Sequence, residues 1–319
     1  AYTPYQAEAS QGMLQSIFEF QSSICALTGM DAANASVYDG ANACAEAILM
    51  CIRQQKEKKK VLISGALNPF YRGVIDQYLE CHALEVITIP FNHDGSCDTN
   101  ALAQHLDTTT AAVVFQSPNF FGCIEEMRSL SEKAKTMGAL VILCANPLSY
   151  GLFATPAELG VDIAVGDCQP LGLALNFGGP YAGYVACRDA LIRQLPGRII
   201  GETVDKKGER GFVLTLQARE QHIRREKATS NICTNQSLAA LASLITMLWY
   251  GPEGLKKLAS TNYQRAHYLQ HALSKSGCIV VNTHFFNEFI VDFNLPIDTV
   301  LSHFRTHGIE PGIPQIGRA

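Results

Sequence analysis

The fold is decided by two short apolar runs in the middle of the chain, Leu140-Val-Ile-Leu-Cys144 and Asp162-Ile-Ala-Val165. Both runs contain β-branched residues and both end at a turn, which is typical of buried strands. Similar runs recur on either side, separated by amphipathic helical segments. Because strands joined by crossover helices form parallel sheets, the sequence predicts an α/β fold with a mixed, mostly parallel sheet.

The other elements follow outward from these two runs. Further strands are predicted at Val61–Ser64, Glu85–Ile89, Ala111–Phe115 and Gly183–Cys187. Helices are predicted at Ser10–Thr28, from just after Asp39-Gly40 to about Gln55, and at about Asn68–Glu80, Thr99–Leu106 and Glu125–Met137. Gly29 is expected to end the first helix, since glycine adopts the left-handed conformation of a C-cap.

The pattern changes after Pro252. A long amphipathic helix from Pro252 to about Lys275 precedes strands at Cys278–Asn282 and Phe286–Phe293 and a helix from Pro296 to Gly308. We therefore expect a large domain over residues 1–251 and a smaller C-terminal α+β domain over residues 252–319. Both ends of the chain are expected to be cut from a longer protein.

Composition excludes several classes of protein. The chain has 319 residues, 47% of them apolar, which is enough to bury a sizeable core. A formal net charge of −4 disfavours nucleic acid as a partner, and no apolar stretch approaches the ~20 residues of a membrane-spanning helix. The 11 scattered cysteines and the nine histidines lack metal-ligand spacing, so we expect no metal and a reducing, cytoplasmic location.

A helix is predicted to begin within Asn34-Ala-Ser-Val-Tyr-Asp-Gly-Ala-Asn42. Backbone amides at a helix N-terminus can hold a phosphate, although a simple tight turn has the same composition. The chain has no G-x-G-x-x-G or G-x-x-x-x-G-K-[ST] loop, which disfavours dinucleotide and nucleoside triphosphate cofactors. Asp39 either faces a cofactor or serves the turn and the helix dipole.

An early helix N-terminus suited to an anion, a mostly parallel sheet and a small C-terminal domain together suggest the aminotransferase-like class of pyridoxal-phosphate enzymes, fold type I. In that class the N-terminus of a helix (the helix mouth) binds the phosphate, and an Asp at the end of a strand pairs with the pyridine nitrogen. A Lys after the next strand forms an imine with the cofactor. Here Ala145-Asn146-Pro147 provides no carboxylate, and Gln169 stands at the expected lysine position. An amide forms no imine. Lys227 has a polar flank instead of the apolar pocket that activates a lysine.

Longer motifs make the resemblance specific. The chain resembles the glycine cleavage system P-protein family, also called glycine dehydrogenase (decarboxylating), and within it the α-type subunit of the two-chain form. The motifs that carry this resemblance are Tyr2–Gly12, Phe18–Gln21, Leu27–Asp31, Asn34–Gly40, Ser117–Gly122, Gln169–Gly172, Phe177–Pro180 and Arg224–Gln236. The likeness extends from Tyr2 to about Pro311.

The resemblance implies an enzyme made of two kinds of subunit. The cofactor lysine is expected in the β-type partner, so no catalytic residue and no covalently bound cofactor are expected in this chain. Together the subunits would decarboxylate glycine and pass the aminomethyl group to the lipoyl arm of H-protein. The absence of a lysine at Gln169 agrees with this expectation.

Two groups of residues are candidates for a site shared with the partner. The first group would contact the phosphate of the partner's pyridoxal phosphate, or would serve only as the N-cap of a helix predicted at Asn235–Leu248. It consists of Thr229, Ser230 and Asn231. The second would line the route of glycine or of the lipoyl arm, or would form a structural loop: Tyr2, Thr3, Tyr5 and Gln6.

Two other functions remain open at this stage. One is an independently active pyridoxal-phosphate transferase or lyase with a lysine elsewhere, and the other is a purely structural pseudo-enzyme. Cys168 is expected to be an inert thiol because no base is paired with it in the sequence. His222, Arg224 and Arg225 are expected to form surface or interface ion pairs more readily than a ligand site.

Overall fold

The computed structural model describes residues 3–232 and 235–314. The α-helices of these ranges are α1 (Gln11–Thr28), α2 (Gly40–Gln54), α3 (Pro69–Leu79), α4 (Thr99–His105), α5 (Met127–Thr136), α6 (Gln221–Arg224), α7 (Ser237–Lys275) and α8 (Ile297–Thr306). The strands are β1 (Ala32–Ala33), β2 (Lys60–Ser64), β3 (Glu85–Ile89), β4 (Thr110–Gln116), β5 (Leu140–Cys144), β6 (Ile163–Asp167), β7 (Gly183–Cys187), β8 (Ile199–Val204), β9 (Arg210–Thr215), β10 (Ile279–Val280) and β11 (Val291–Asp292).

Seven strands form one sheet in the order β1-β7-β6-β5-β4-β2-β3. Strands β2 to β6 pair in parallel, whereas β7 runs antiparallel to both β6 and β1. This arrangement confirms the predicted mixed, mostly parallel sheet. Strand β1 was not predicted, because two residues are too few to show an alternating pattern.

The sheet is covered on both faces, as parallel sheets require. Helices α1, α4, α5 and α7 pack on one face, where Val113, Phe115 and Leu143 are buried. Helices α2 and α3 pack on the other face against Val114 and Ile142. Because side chains alternate along a strand, successive residues of β4 enter different cores, which explains why its sequence is apolar throughout.

The first helices begin and end where their capping residues predict. The Ser10 hydroxyl accepts a hydrogen bond from the Met13 amide at the start of α1, and Gly29 ends that helix with a φ of 70°. Asn68 caps α3 in the same way, since its side chain accepts from the Phe70 amide. These caps satisfy amide and carbonyl groups that a helix end leaves free.

The chain after β7 departs from the predicted pattern. The β8–β9 hairpin was missed, and the strands predicted at Cys278–Asn282 and Phe286–Phe293 shrink to β10 and β11. Helix α7 joins two predicted helices across a kink at Gly251, whose φ is 60°. Glycine adopts this conformation easily, and the following Pro252 removes a helical hydrogen bond. The division into domains at residues 251 and 252 stays a prediction.

No helix within residues 3–232 and 235–314 combines the length and the hydropathy needed to cross a membrane.

Candidate functional site

The N-terminus of α2 meets the end of β6 at the carboxyl edge of the sheet. The Gly40 amide, at the first position of α2, donates a 3.0 Å hydrogen bond to Oδ2 of Asp167. The Gln169 amide donates a 2.7 Å hydrogen bond to Oδ1 of the same side chain. The Asp167 carboxylate therefore accepts from one backbone amide at the start of α2 and from another in the loop after β6.

Position 40 has no room for a larger residue. A Cβ atom there would collide with the hydroxyl of Tyr71, on α3, and would lie 2.9 Å from the backbone nitrogen of Asp167. The Tyr71 side chain thus fills the space over the start of α2, and only glycine permits this close approach.

A second carboxylate, that of Asp39, caps the same helix. Its Oδ1 accepts 2.8 Å and 2.9 Å hydrogen bonds from the backbone and side-chain nitrogens of Asn42. The Tyr78 hydroxyl donates to Oδ1 of Asn42, which fixes the orientation of that amide. Of the two roles left open for Asp39, the geometry gives it that of an N-cap.

Burial governs the protonation of these groups. It raises the pKa of Asp167 to about 6, against the lowering effect of the two amide hydrogen bonds, and the charge of Asp39 adds to the rise. Burial also raises the pKa of Tyr71 above its usual value. At neutral pH the Asp167 side chain is therefore mostly an anion, and the Tyr71 hydroxyl is neutral.

The other positions expected in a pyridoxal-phosphate site hold amides. The Gln169 side chain donates a 2.9 Å hydrogen bond to the Leu173 carbonyl. Oδ1 of Asn146, after β5, accepts from the Leu148 amide and caps a 3-10 helix. Lys227 is exposed on a short 3-10 helix. The site does not fit the cofactor. Gln169 and Asn146 supply neither an amine nor a ring-pairing carboxylate, the Lys227 amine is exposed, and Asp167 accepts from the Gly40 amide at the start of α2.

The residues Thr229, Ser230 and Asn231 precede α7 but do not cap it. Helix α7 begins at Ser237 with Gln236 in the N-cap position, so the alternative that they form an ordinary N-cap of this helix is wrong. The Ser230 hydroxyl donates a 2.8 Å hydrogen bond to Oε1 of Glu46 and accepts one from the Ile232 amide. The Thr229 amide donates to the Arg219 carbonyl, and Asn231 is exposed.

Glu46, the partner of Ser230, was not identified from the sequence. It lies on α2 with only 2% of its surface exposed, and its Oε2 atom has no hydrogen-bond partner among the residues that the structure describes. Burial raises its pKa above the ordinary value, whereas the Ser230 hydrogen bond lowers it. A single carboxylate within the apolar run Ala43-Cys-Ala-Glu-Ala-Ile48 was the signal that could have identified it.

The N-terminal segment is linked through Asn235 to the loop that leads to α2. The Thr3 hydroxyl donates to Oδ1 of Asn235, and the Asn235 side chain donates to the Ala35 carbonyl and to the Ser36 hydroxyl. Thr3 is buried, with 7% of its surface exposed. Ser36 has a φ of 111°, which a non-glycine residue adopts only where surrounding contacts enforce it. This cluster joins the N-terminus to the segment before α7.

The remaining residues of the predicted substrate route lie at different depths. Tyr5 is 77% exposed and Gln6 is exposed, while the guanidinium of Arg198 donates to the carbonyls of Pro4 and Tyr5. Tyr2 lies outside the described residues. A cavity of about 160 Å³ adjoins Thr3 and Pro4, and its other lining residues include Met13, Ile17, Leu238 and Leu241.

One face of α7 is apolar and exposed. The α7 apolar stripe consists of Leu238, Ile245, Leu248 and Trp249, of which Trp249 is 85% exposed. The opposite face of the same helix is buried in the core through Ala240 and Leu244. A helix that is apolar on both faces is typical of one covered on both sides. The loop after β6, with exposed Leu175 and Phe177, reaches this region because Gly172 packs against Thr246.

The other reactive side chains do not form a site. Cys168 is fully buried, and burial holds the pKa of its thiol well above the usual value, which keeps it unreactive. The ten cysteines that the structure describes are all free thiols. His222 is exposed and its Nδ1 atom lies 3.7 Å from Oε2 of Glu220.

The strand order, the single antiparallel strand and the helix mouth beside β6 define the aminotransferase-like class, pyridoxal-phosphate fold type I. A sphingosine-1-phosphate lyase from Burkholderia pseudomallei superposes with a TM-score of 0.72 over 96% of this chain and 71% of the other. The two sequences are only 15% identical, so this likeness concerns the fold alone.

The chain belongs to the glycine cleavage system P-protein family, whose model matches residues 1–312. A probable glycine dehydrogenase (decarboxylating) subunit 1 from Protochlamydia amoebophila is 66% identical over 98% of this chain and 71% of the relative. An inhibitor-bound crystal structure of glycine decarboxylase (P-protein) of the glycine cleavage system has a TM-score of 0.90 at 44% identity, covering 97% of this chain and 70% of that one.

Proposed function

We propose that this chain is the non-catalytic α-type subunit of a glycine-decarboxylating P-protein. With a β-type partner it would decarboxylate glycine and transfer the aminomethyl group to the lipoyl arm of H-protein, in the cytoplasm. The pyridoxal phosphate of the complex would be bound by the partner. The observation that carries the proposal is the pairing of Asp167 with the Gly40 amide in a chain of this family, with Gln169 following in place of a lysine.

The α7 apolar stripe supports the need for a partner. Leu238, Ile245, Leu248 and Trp249 together form an exposed apolar face, and such faces mark protein interfaces. Tryptophan is also among the residues that contribute most to binding at such interfaces. We assign the β-type subunit to this surface, because the relatives carry the name subunit 1 and the opposite face of α7 is already buried in the core.

Within the complex, this chain would contribute polar groups to the partner's pocket. Thr229, Ser230 and Asn231 would address the phosphate of the partner's cofactor, as proposed from the sequence. Asn231 is exposed and Ser230 is half-buried, so the segment lies close enough to the surface for such a contact. Tyr5 and Gln6, which are exposed, would line the route of glycine or of the lipoyl arm together with Tyr2 and Thr3.

The first experiment uses the chain alone. Incubated with pyridoxal phosphate and then reduced with borohydride, it should yield no cofactor-labelled lysine in peptide mapping. Mixed with the β-type subunit, it should restore exchange of bicarbonate with the carboxyl group of glycine, and one cofactor should be bound per pair of subunits. A specifically labelled lysine in this chain would contradict the proposal and favour an independently active transferase or lyase.

The second experiment tests whether this chain contributes to the shared pocket. In the assembled complex, Thr229→Ala and Asn231→Ala should lower the exchange rate and weaken cofactor retention by the partner. The matched control is Ser274→Ala, at the exposed end of α7. If the two variants exchange bicarbonate as fast as the control, the chain is a purely structural subunit.

A further inference from the structure

We infer that Asp167 is a built-in anion that closes this chain's own phosphate-binding position, so that the helix mouth of α2 binds no phosphate while Asp167 is present. The inference goes beyond the proposed function, because it concerns a position inside this chain and its test needs no partner. The fold would otherwise provide a phosphate-binding site at this helix end, and the Asp167 side chain accounts for its loss.

Backbone hydrogen bonds supply the first argument. A phosphate at a helix N-terminus is held by the free amides of the first turn. Here the first amide of α2, that of Gly40, donates to Oδ2 of Asp167, and the Gln169 amide donates to Oδ1. The carboxylate lies where an incoming anion would need to lie, and it uses both of its oxygens to do so.

The space around these amides is also filled by the chain itself. The Tyr71 side chain lies so close to Gly40 that a Cβ atom would collide with its hydroxyl. The amide of Asn42, two residues further along α2, donates to the Asp39 carboxylate. An incoming phosphate would therefore have to displace the two carboxylates that already accept from the Gly40 and Asn42 amides.

Charge opposes a phosphate as well. Asp39 and Asp167 place two carboxylates at the same helix end, and like charges at close range repel strongly where water is excluded. Within residues 3–232 and 235–314, no lysine or arginine forms an ion pair with either of them. The helix dipole is thus neutralised by groups of the chain and lacks the cations that usually assist phosphate binding.

The test measures anion binding to the isolated chain. The probes are inorganic phosphate and pyridoxamine 5′-phosphate, which has no aldehyde and so cannot react with surface lysines. We expect no saturable binding by the wild type or by Asp205→Asn, which removes the same charge from an exposed turn. Asp167→Ser removes the carboxylate and should bind both probes saturably, at least about tenfold more tightly than any residual binding by the wild type.

Two results would overturn the inference. One is an Asp167→Ser variant that folds, as judged by circular dichroism, yet binds no better than the wild type. The other is an NMR titration of the wild type in which phosphate shifts the Gly40 amide resonance in a saturable way, and this measurement needs no variant to fold. Neither result depends on whether the chain carries a cofactor lysine, so failure here is distinguishable from failure of the proposed function.

Discussion

The hydroxyl of Ser230 donates a 2.8 Å hydrogen bond to Oε1 of Glu46, a residue 184 positions earlier in the chain. This contact fastens the segment before α7 to the core helix α2. It also occupies the hydroxyl that we propose for the phosphate of the partner's cofactor. Binding to the partner would therefore require Ser230 to exchange Glu46 for a new acceptor.

Ser230→Ala should destabilise the chain alone. The substitution removes the only hydrogen bond described for Glu46, a carboxylate with 2% of its surface exposed, and leaving such a group unpartnered costs about 1–3 kcal/mol. Urea unfolding at neutral pH gives the free energy of unfolding. The control is Ser274→Ala, at an exposed position, which should change that free energy by less than about 0.5 kcal/mol. If Ser230→Ala and Ser274→Ala changed the free energy of unfolding equally, the hydrogen bond to Glu46 would contribute nothing to stability.

Asp167 should make the chain less stable as the pH rises from about 4 to 7. Its folded pKa of about 6 lies above the value of roughly 3.9 for an unfolded chain, so the native state binds more protons in this interval. The stabilising contribution is fully present below the unfolded pKa and is lost as the pH rises through the folded pKa. The loss amounts to at most about 3 kcal/mol.

Asp167→Asn should remove this contribution and flatten the dependence of unfolding free energy on pH. The neighbouring charged or titratable groups are Asp39, Tyr71 and the thiols of Cys144 and Cys168. Asp107→Asn is a control that should change the pH dependence of the unfolding free energy in the opposite direction. A hydrogen bond from Lys60 lowers the pKa of Asp107 and stabilises its ionised form. If both variants changed the pH profile in the same direction, the assignment to Asp167 would be wrong.

Gly122→Ala should destabilise the chain by more than about 3 kcal/mol. Gly122 has a φ of 86°, and a Cβ atom there would collide with the Glu288 carbonyl. Gly73→Ala is the matched control, since nothing lies within 4 Å of its Cβ position on α3 and alanine favours a helix by up to about 1 kcal/mol. Thermal unfolding compares the two. If Gly122→Ala lowered the free energy of unfolding only slightly, the Ser117–Gly122 motif would not pack on residue 288.

Trp249 should become buried when the β-type subunit binds. It is the chain's only tryptophan, so fluorotryptophan incorporated into this chain gives a single fluorine NMR signal. Addition of an unlabelled partner should shift this signal and protect it from a soluble quencher. Trp249→Ala should weaken association by about 2 kcal/mol, as expected for a central interface residue. Tyr268→Ala, exposed on the second half of α7, should leave the affinity unchanged.

Much of the fold could be predicted because it is encoded locally. Apolar strand runs such as Leu140–Cys144 and caps such as Gly29 depend on neighbouring residues, and their predicted positions agree with the structure within one or two residues. The β8–β9 hairpin was missed because much of it is exposed and its pattern is weak. The two halves of α7 were separated because Pro252 resembles a helix start.

Of the candidate site, the sequence predicted the start of a helix within Asn34–Asn42 and the absence of a lysine after β6. The sequence alone determined that an amide, that of Gln169, stands where a lysine was expected, and it determined the order along the chain of strands β2 to β7 and of the helices between them. Only the tertiary structure brought Asp167 onto the amide of Gly40, 127 positions away, and Ser230 onto Glu46. The physical reason is that such contacts depend on the lateral order of strands and on the burial of each group, which no local pattern of residues encodes.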